Sequence, residues 1–297
     1  MDSMKEIQGR MKSIEDTIKI TNAMYMISSA KLKKAKKNLE ATEPYFFTLQ
    51  NTMSRILRHI PENSSIYFDQ RKDKKRSDRK VGYLVVSADK GMAGAYNHNV
   101  FKVAEEHMDH TANPVLFVLG EIGRHYFERR NIPIEEQFHY TIQNPTLSRA
   151  RSIAEIVLEK YEKEELDELY IIYTKMLNSI SSEVDMIKLL PLERADFKVS
   201  LPINVRREEI DLKPDPLTVI EHIIPEYLVG FIYGALVEAF SSEQNSRLMA
   251  MEAAVKSGTD MLKELDVIYH RARQAAITQQ ITEVVGGAKA QRKKKIS

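Results

Sequence analysis

Residues Met4–Lys37 read MKEIQGRMKSIEDTIKITNAMYMISSAKLKKAKK, and their period decides the fold. Stepping by seven from Met4 gives Met11, Ile18, Tyr25, Leu32, Leu39, Phe46 and Met53, all apolar. The companion seam, offset by three, runs Ile7, Ile14, Thr21, Ser28, Ala35, Thr42, Leu49 and Ile56. An a/d pattern sustained this long predicts a coiled-coil helix over residues 1–60. Pro44 lacks a backbone donor and crowds the preceding turn, so it is expected to bend or loosen that helix. The far end repeats the design, with Leu248, Val255, Leu262, Tyr269 and Ala276 against Met251, Gly258, Leu265, Ala272 and Gln279. No proline follows Pro225, so a second long helix is predicted over residues 225–288. The two helices can pair antiparallel if the middle of the chain makes the turn; a homodimer through the same seams also fits.

Residues 81–205 change period. Val81–Ser87 (VGYLVVS), Pro114–Leu119 (PVLFVL) and Leu169–Tyr173 (LYIIY) are short apolar runs suited to buried strands, and Glu183–Leu190 suits an edge strand. Helical stretches lie between them at Asn97–His110, Glu121–Arg130 and Leu147–Tyr161. Strand alternating with helix implies a parallel sheet covered on its faces. The predicted class is therefore α/β plus a long antiparallel coiled coil of the N- and C-terminal helices. Residues 61–80 join the first helix to this domain. Within them QRKDKKRSDRK (Gln70–Lys80) has seven Lys/Arg against two Asp and no periodic apolar face. It is expected to be a solvated basic linker, mobile unless a partner orders it.

Composition narrows the function. Among 297 residues, Lys+Arg total 44 and Asp+Glu 42, a net charge of +2 that argues against a nucleic-acid binder. Hydrophobic residues at 43% suffice for a core, and Cys 0 excludes disulfides, thiolate catalysis and cysteine-held metal. The charged start lacks a signal-peptide core, and the most apolar run, Tyr227–Val237, is bounded by Glu226 and Glu238 and too short to span a bilayer. A soluble, cytosol-facing chain is expected.

No catalytic constellation emerges. Asp89-Lys90-Gly91-Met92-Ala93-Gly94 sits where phosphate loops sit, after a strand and before a helix, yet lacks both GxGxxG and GxxxxGK[ST]. It reads as a strand-to-helix turn whose glycines take unusual angles. His107 and His110, preceded by Glu105 and Glu106, supply two of the three or four ligands that zinc needs. Glu121 and His125 are expected to pair at i,i+4. The chain reads as non-catalytic, with no cofactor or metal. Two zones are poor in charge: Ala23–Ile27, where Met24, Met26 and Ile27 are apolar beyond the seam, and Ala275–Val285, with Ile277, Ile281 and the single charge Glu283. In an antiparallel pair these are expected to coincide, giving a rod whose tip enters an apolar sleeve. Beside the first zone, Lys31, Lys33, Lys34, Lys36 and Lys37 form a basic collar, either a solvated face or a contact for an acidic partner.

Met4–Lys37, SADKGMAGAYN (Ser87–Asn97), SEQNSRLMAMEAA (Ser242–Ala254) and RARQAAITQQITEVVGGA (Arg271–Ala288) together resemble the gamma subunit of bacterial F-type rotary ATP synthases, in order and at the expected spacing. Gln280, His270 and the basic tail Arg292–Lys295 depart from the family pattern. The resemblance implies that the terminal helices form a curved coiled coil whose tip stands inside a ring of alternating alpha and beta subunits. It implies a Rossmann-like middle domain below that ring, beside the epsilon subunit and on the c-subunit ring. One gamma serves each complex, on the cytoplasmic face of the plasma membrane, with no nucleic acid and no direct membrane insertion. Nucleotide binds alpha and beta, and gamma transmits torque. By similarity, Glu243, Arg247, Arg273, Gln274 and Thr278 form a catch on beta; Met24, Met26, Ile27, Ile277 and Ile281 form the apolar tip. Lys31–Lys37 would face the acidic lever of beta. Ile210, Leu212 and Lys213 form the foot (206–224) on the c ring and epsilon, with Lys213 where the family often has an acid. The rival readings are a homodimeric coiled-coil adaptor and an enzyme with a nucleotide site in the middle domain.

Overall fold

The computed structural model describes residues 4–58, 65–178, 181–197 and 212–294. The chain divides into two compact units, Ser28–Leu248 and Met1–Ile27 with Met249–Ser297. Two long helices run through both: α1, Met4–Ile56, and, at the other end of the chain, a helix over Pro216–Lys294.

In the larger unit a four-stranded sheet is built from β1 (Lys80–Val86), β2 (Asn113–Leu119), β3 (Glu168–Met176) and β4 (Ser182–Leu190) in the order β2-β1-β3-β4. β1 is parallel to β2 (Tyr83 opposite Leu116) and to β3 (Leu84 opposite Ile171), while β4 closes the edge antiparallel (Ile171 opposite Ile187). The crossovers are α2 (Tyr96–Met108), α3 (Glu121–Arg129) and α4 (Leu147–Glu162). The C-terminal helix is accordingly α5. Every strand and helix expected within residues 81–205 is present, within a few residues of its expected ends.

Period two along the strands makes two cores. Tyr83, Val85, Leu116 and Val118 pack with Val100, Phe101 and Ala104 of α2 and Phe127 of α3. Leu84, Val86, Phe117 and Leu119 join a larger cluster with Ile153, Val157 and Tyr161 of α4, the Ile220–Phe240 stretch of α5 and Met53 and Ile56 of α1. Both faces are thus covered, which is why the strands read as unbroken apolar runs. Gly120 stands after β2 at φ 92°, where an added Cβ would lie 2.5 Å from the Ser87 carbonyl oxygen, so only glycine fits.

α5 contains a window long and apolar enough to cross a membrane, but 61% of it is buried inside the fold. It begins earlier than expected. Pro216 is its first residue and Asp215 caps it, accepting from Thr218 N at 2.9 Å and Thr218 Oγ1 at 2.7 Å. The described part of the expected foot is therefore largely helix, and Ile210 lies outside the described residues. Pro225 is tolerated inside α5, as Pro44 is inside an unbroken α1. The expected basic tail continues α5 as far as Lys294.

The expected solvated linker is instead docked. Tyr67 and Phe68 are buried in the main core. The Asp167 carboxylate, itself buried, accepts from Lys74 Nζ at 2.7 Å, Lys80 N at 2.9 Å and Arg71 Nη1 at 3.3 Å. Arg79 reaches Glu168 at 2.7 Å. The basic run is ordered by carboxylates of the same chain, at positions 167 and 168. Burial pushes Asp167 upward, but the Lys74 and Lys80 hydrogen bonds and the two cations outweigh it and hold the group below its ordinary value. Elsewhere Glu121 pairs with His139 at 2.8 Å, and His125 with Glu128 at 3.6 Å, in place of the expected Glu121–His125 pair.

The smaller unit pairs the start of α1 with the end of α5. Ile7, Met11, Ile14, Ile18 and Thr21 of α1 and Met251, Val255, Gly258, Leu262, Leu265, Tyr269, Ala272 and Ala276 of α5 are buried or half-buried at seam spacing. Tyr25 departs from the pattern: it is exposed, and Met24 takes the half-buried place. An added Cβ at Gly258 would come within 3.0 Å of Ile18 Cγ1, so the two helices run in close contact there.

Two measurements test this packing. At Gly230 an added Cβ would overlap the Phe46 ring, whereas at Gly234 nothing lies within 4 Å. Gly230→Ala is expected to destabilise by about 1–3 kcal/mol and Gly234→Ala to stabilise by about 0.5–1 kcal/mol, so denaturant midpoints should move in opposite directions. Asp167→Asn should cost about 1–3 kcal/mol at pH 7. Because the folded pKa of Asp167 lies below the unfolded value of about 3.9, its contribution is complete above that pH. The gap between wild type and variant should close as acid carries the group through its folded value.

Candidate functional site

The segment after β1 leaves the sheet at the point where the strand order reverses, the usual ligand crevice of open α/β sheets. Here several of its polar groups are bonded within the chain. Asp89 accepts from the backbone N–H of Ile142 (3.0 Å), Gln143 (3.0 Å) and Glu121 (3.3 Å). Ser87 Oγ donates to Leu119 O at 2.7 Å and accepts from Gly123 N at 3.0 Å. Asn97 Oδ1 accepts from Ala88 N at 2.8 Å. The carbonyls of Lys90 and Gly91 accept from Arg247 of α5 at 2.9 and 3.1 Å.

Glu243 and Arg247, expected to meet a partner, are brought together inside the larger unit. They are 3% and 6% exposed and bonded to each other at 2.5 Å. Burial raises the Glu243 pKa, opposed by the Arg247 charge and hydrogen bond. The other three catch residues, Arg273, Gln274 and Thr278, belong to the smaller unit and lie on the surface of α5. The five do not form one cluster within either unit.

Lys33, Lys34, Lys36 and Lys37 are exposed and Lys31 half-buried, while Ala35 between them is buried. Lys31 and Lys34 line a small cavity with Asn144, Pro145, Val237 and Phe240. At the foot, Leu212 packs on the main core and Lys213 is exposed.

The two apolar zones do not coincide. The register set by Ile18 against Gly258 puts Ile27 level with Met249 and Met4 level with Ala272. Residues 277–289 of α5 therefore run on beyond the start of α1 and are exposed throughout. Met26 (68% exposed), Ile27 and Ile20 form one patch, and Ile277, Ile281 (58%), Val284 and Val285 another, about 40 Å further along α5. Heptads gave the buried face but not the level, and Ile20 went unnoticed because it lies off the seam. Among the described residues no cluster of His, Cys, Asp and Glu is fit to hold a metal.

The ATP synthase family model matches residues 3–291. A gamma chain of Acetivibrio thermocellus is 47% identical over 295 residues, covering 98% of this chain and 99% of that one. The ATP synthase gamma chain, sodium ion specific, of Acetobacterium woodii is 35% identical, covering 97% and 99%. In fold the chain resembles a solved chain from the Euglena gracilis mitochondrial ATP synthase (OSCP/F1/c-ring), with TM-score 0.66 at 15% identity, covering 98% and 95%. A central stalk/c-ring structure from Tetrahymena thermophila aligns at TM-score 0.58 and 24% identity, over 79% and 99%. The fold is thus that of a non-catalytic α/β protein carrying a helical shaft. The chain belongs to the ATP synthase gamma-chain family.

Proposed function

We propose that this chain is the turning shaft of an ATP synthase, and that its free apolar end is the part that rotates against the catalytic ring. As a gamma chain it is a rotor subunit of the complex and not the catalytic one. It is membrane-associated through that complex, on the cytoplasmic face in our reading. The burial of the apolar stretch of α5 supports the absence of direct membrane insertion.

The observation that carries the proposal is the exposed stripe Ile277, Ile281, Val284 and Val285 on a helix that has outrun its partner. Apolar contact has few directional bonds, so a ring closed around it can slide without locking at one angle. A rotor moves a catalytic subunit between open and closed states only by touching those states differently. An asymmetric shaft in a three-fold ring meets the three beta subunits unequally, and a third of a turn permutes those contacts. Arg273, Gln274 and Thr278 lie among the apolar residues and supply the polar catch. The exposed lysines of 31–37 suit the acidic lever of beta. Leu212 and Lys213, beside the capped start of α5, belong to the foot on the c ring and epsilon.

The experiment is assembly with alpha and beta subunits and a measurement of ATP turnover. Arg273→Ala with Gln274→Ala is expected to lower turnover several-fold and leave the free chain folded. Ile277→Ser with Ile281→Ser should change the free chain's stability by no more than about 0.5 kcal/mol, since both are exposed, and yet weaken turnover or retention of the chain. Full turnover in both double variants would remove the support for this reading.

A further inference from the structure

Ala239, Glu243 and Arg247 stand at i, i+4 and i+8 on α5, one above another on a single face. That face meets one segment of the α/β domain, residues 90–96. Tyr96 Oη donates to Ala239 O at 3.1 Å. Arg247 Nη2 donates to Lys90 O at 2.9 Å and Gly91 O at 3.1 Å, and Nε to Gly91 O at 3.3 Å. Glu243 completes the set at 2.5 Å from the same Nη2.

The turn is shaped for this contact. Met92 and Gly94 are left-handed, at φ 62° and 58°. A methionine in that conformation is disfavoured unless its surroundings hold it there. The two carbonyls just before it converge on one guanidinium. On the other side of the turn Asp89 is fixed by its three backbone donors. A planar fork suits adjacent carbonyls in a way that a lysine's point charge does not. The neighbouring carboxylate offsets the cost of burying the cation.

We propose that this face of α5 is a built-in ligand of the switch-point crevice, and that Glu243 and Arg247 are positioning residues seating the shaft in the α/β domain. Torque applied to the domain reaches α5 through this seat. The Ile220–Phe240 stretch of α5 is held by close-packed apolar side chains, and beyond Phe240 this face of the helix is held by polar bonds. Three hydrogen bonds from one cation to the turn, with a fourth from Tyr96 to α5, are directional. The torque role rests on the rotor reading above; the seat itself does not.

Two experiments separate those layers. In the free full-length chain, hydrogen exchange at the amides of Tyr96 and Asn99, which donate to Ala93 O and Ala95 O, is expected to rise tenfold or more in Arg247→Ala, less in Arg247→Lys, and modestly in Tyr96→Phe. Amides of the β1 interior (82–86) should keep their protection. In the assembled complex, Arg247→Ala should lower ion transport per ATP hydrolysed more than it lowers hydrolysis, with partial rescue by lysine. Unchanged exchange at Tyr96 and Asn99 in Arg247→Ala would overturn the seat, whatever the complex does. Faster exchange with full coupling would overturn its torque role and leave the rotor reading standing. Should Arg247→Ala fail to fold, Tyr96→Phe removes a single hydrogen bond and carries the same expectations at smaller size.

Discussion

The burial of α5 between Ile220 and Phe240 is the constraint on which the rest of the structure depends. Ile220, Ile224, Leu228, Val229, Ile232, Tyr233, Leu236, Val237 and Phe240 are all buried. They cover far more of the helix than one stripe, and a helix apolar on most sides needs cover on most sides. The sheet and α4 supply one part of it, and α1 supplies another through Phe46, Met53 and Ile56. Where Phe46 crosses, the helix must carry Gly230, because any side chain there meets the ring. The α/β core and the base of the shaft are therefore one hydrophobic cluster rather than a domain with a helix attached.

Beyond Phe240 the same helix changes its means of attachment. Ser241, Ser242, Glu243, Gln244, Asn245 and Arg247 are buried and polar, an arrangement that is costly unless the groups are bonded. Arg247 and Glu243 are bonded, to each other and to the turn after β1. From Ile277 to Lys289 the helix is exposed, and its apolar residues are not covered by any of the described residues. A single helix thus carries a polar, bonded region and an exposed apolar region, distinguished by side-chain chemistry.

Much of this was legible in the sequence, for a reason that also marks the limit. Periodicity reports which face of an element is buried. It found the seams from Met4 to Ile56 and from Leu248 to Ala276, and the strands around Val85, Phe117 and Ile172. It carries no information on what lies opposite. In the smaller unit the level at which α1 meets α5 is marked by the close approach at Gly258, and at that level the two apolar zones do not coincide. The linker was misread for a related reason: the carboxylates that order Arg71, Lys74 and Arg79 are about 90 residues away in sequence. The start of α5 was within reach, since Asp215-Pro216 followed by Thr218 is a cap and first-turn signature. Glu243 and Arg247 carried an i,i+4 hint of mutual pairing, but their burial depended on a turn some 150 residues earlier.

The filled crevice also explains how a doubly wound domain can serve without chemistry. In this fold a ligand is held by the turn after the first strand, by backbone N–H groups and a few side chains at the carboxyl ends of the strands. Here Ser87 ties that strand end to β2 and α3, Asp89 caps neighbouring backbone, and the carbonyls of the turn point to an arginine of the same chain. These groups of the strand end and the turn thus have partners within the chain. The fold alone would have suggested nucleotide binding, and only the partners of these few atoms distinguish a binding domain from a mounting. A mounting gains from the same geometry that makes a good site: strands converging on one place, rigid on both faces, with a short turn that can be held from two sides.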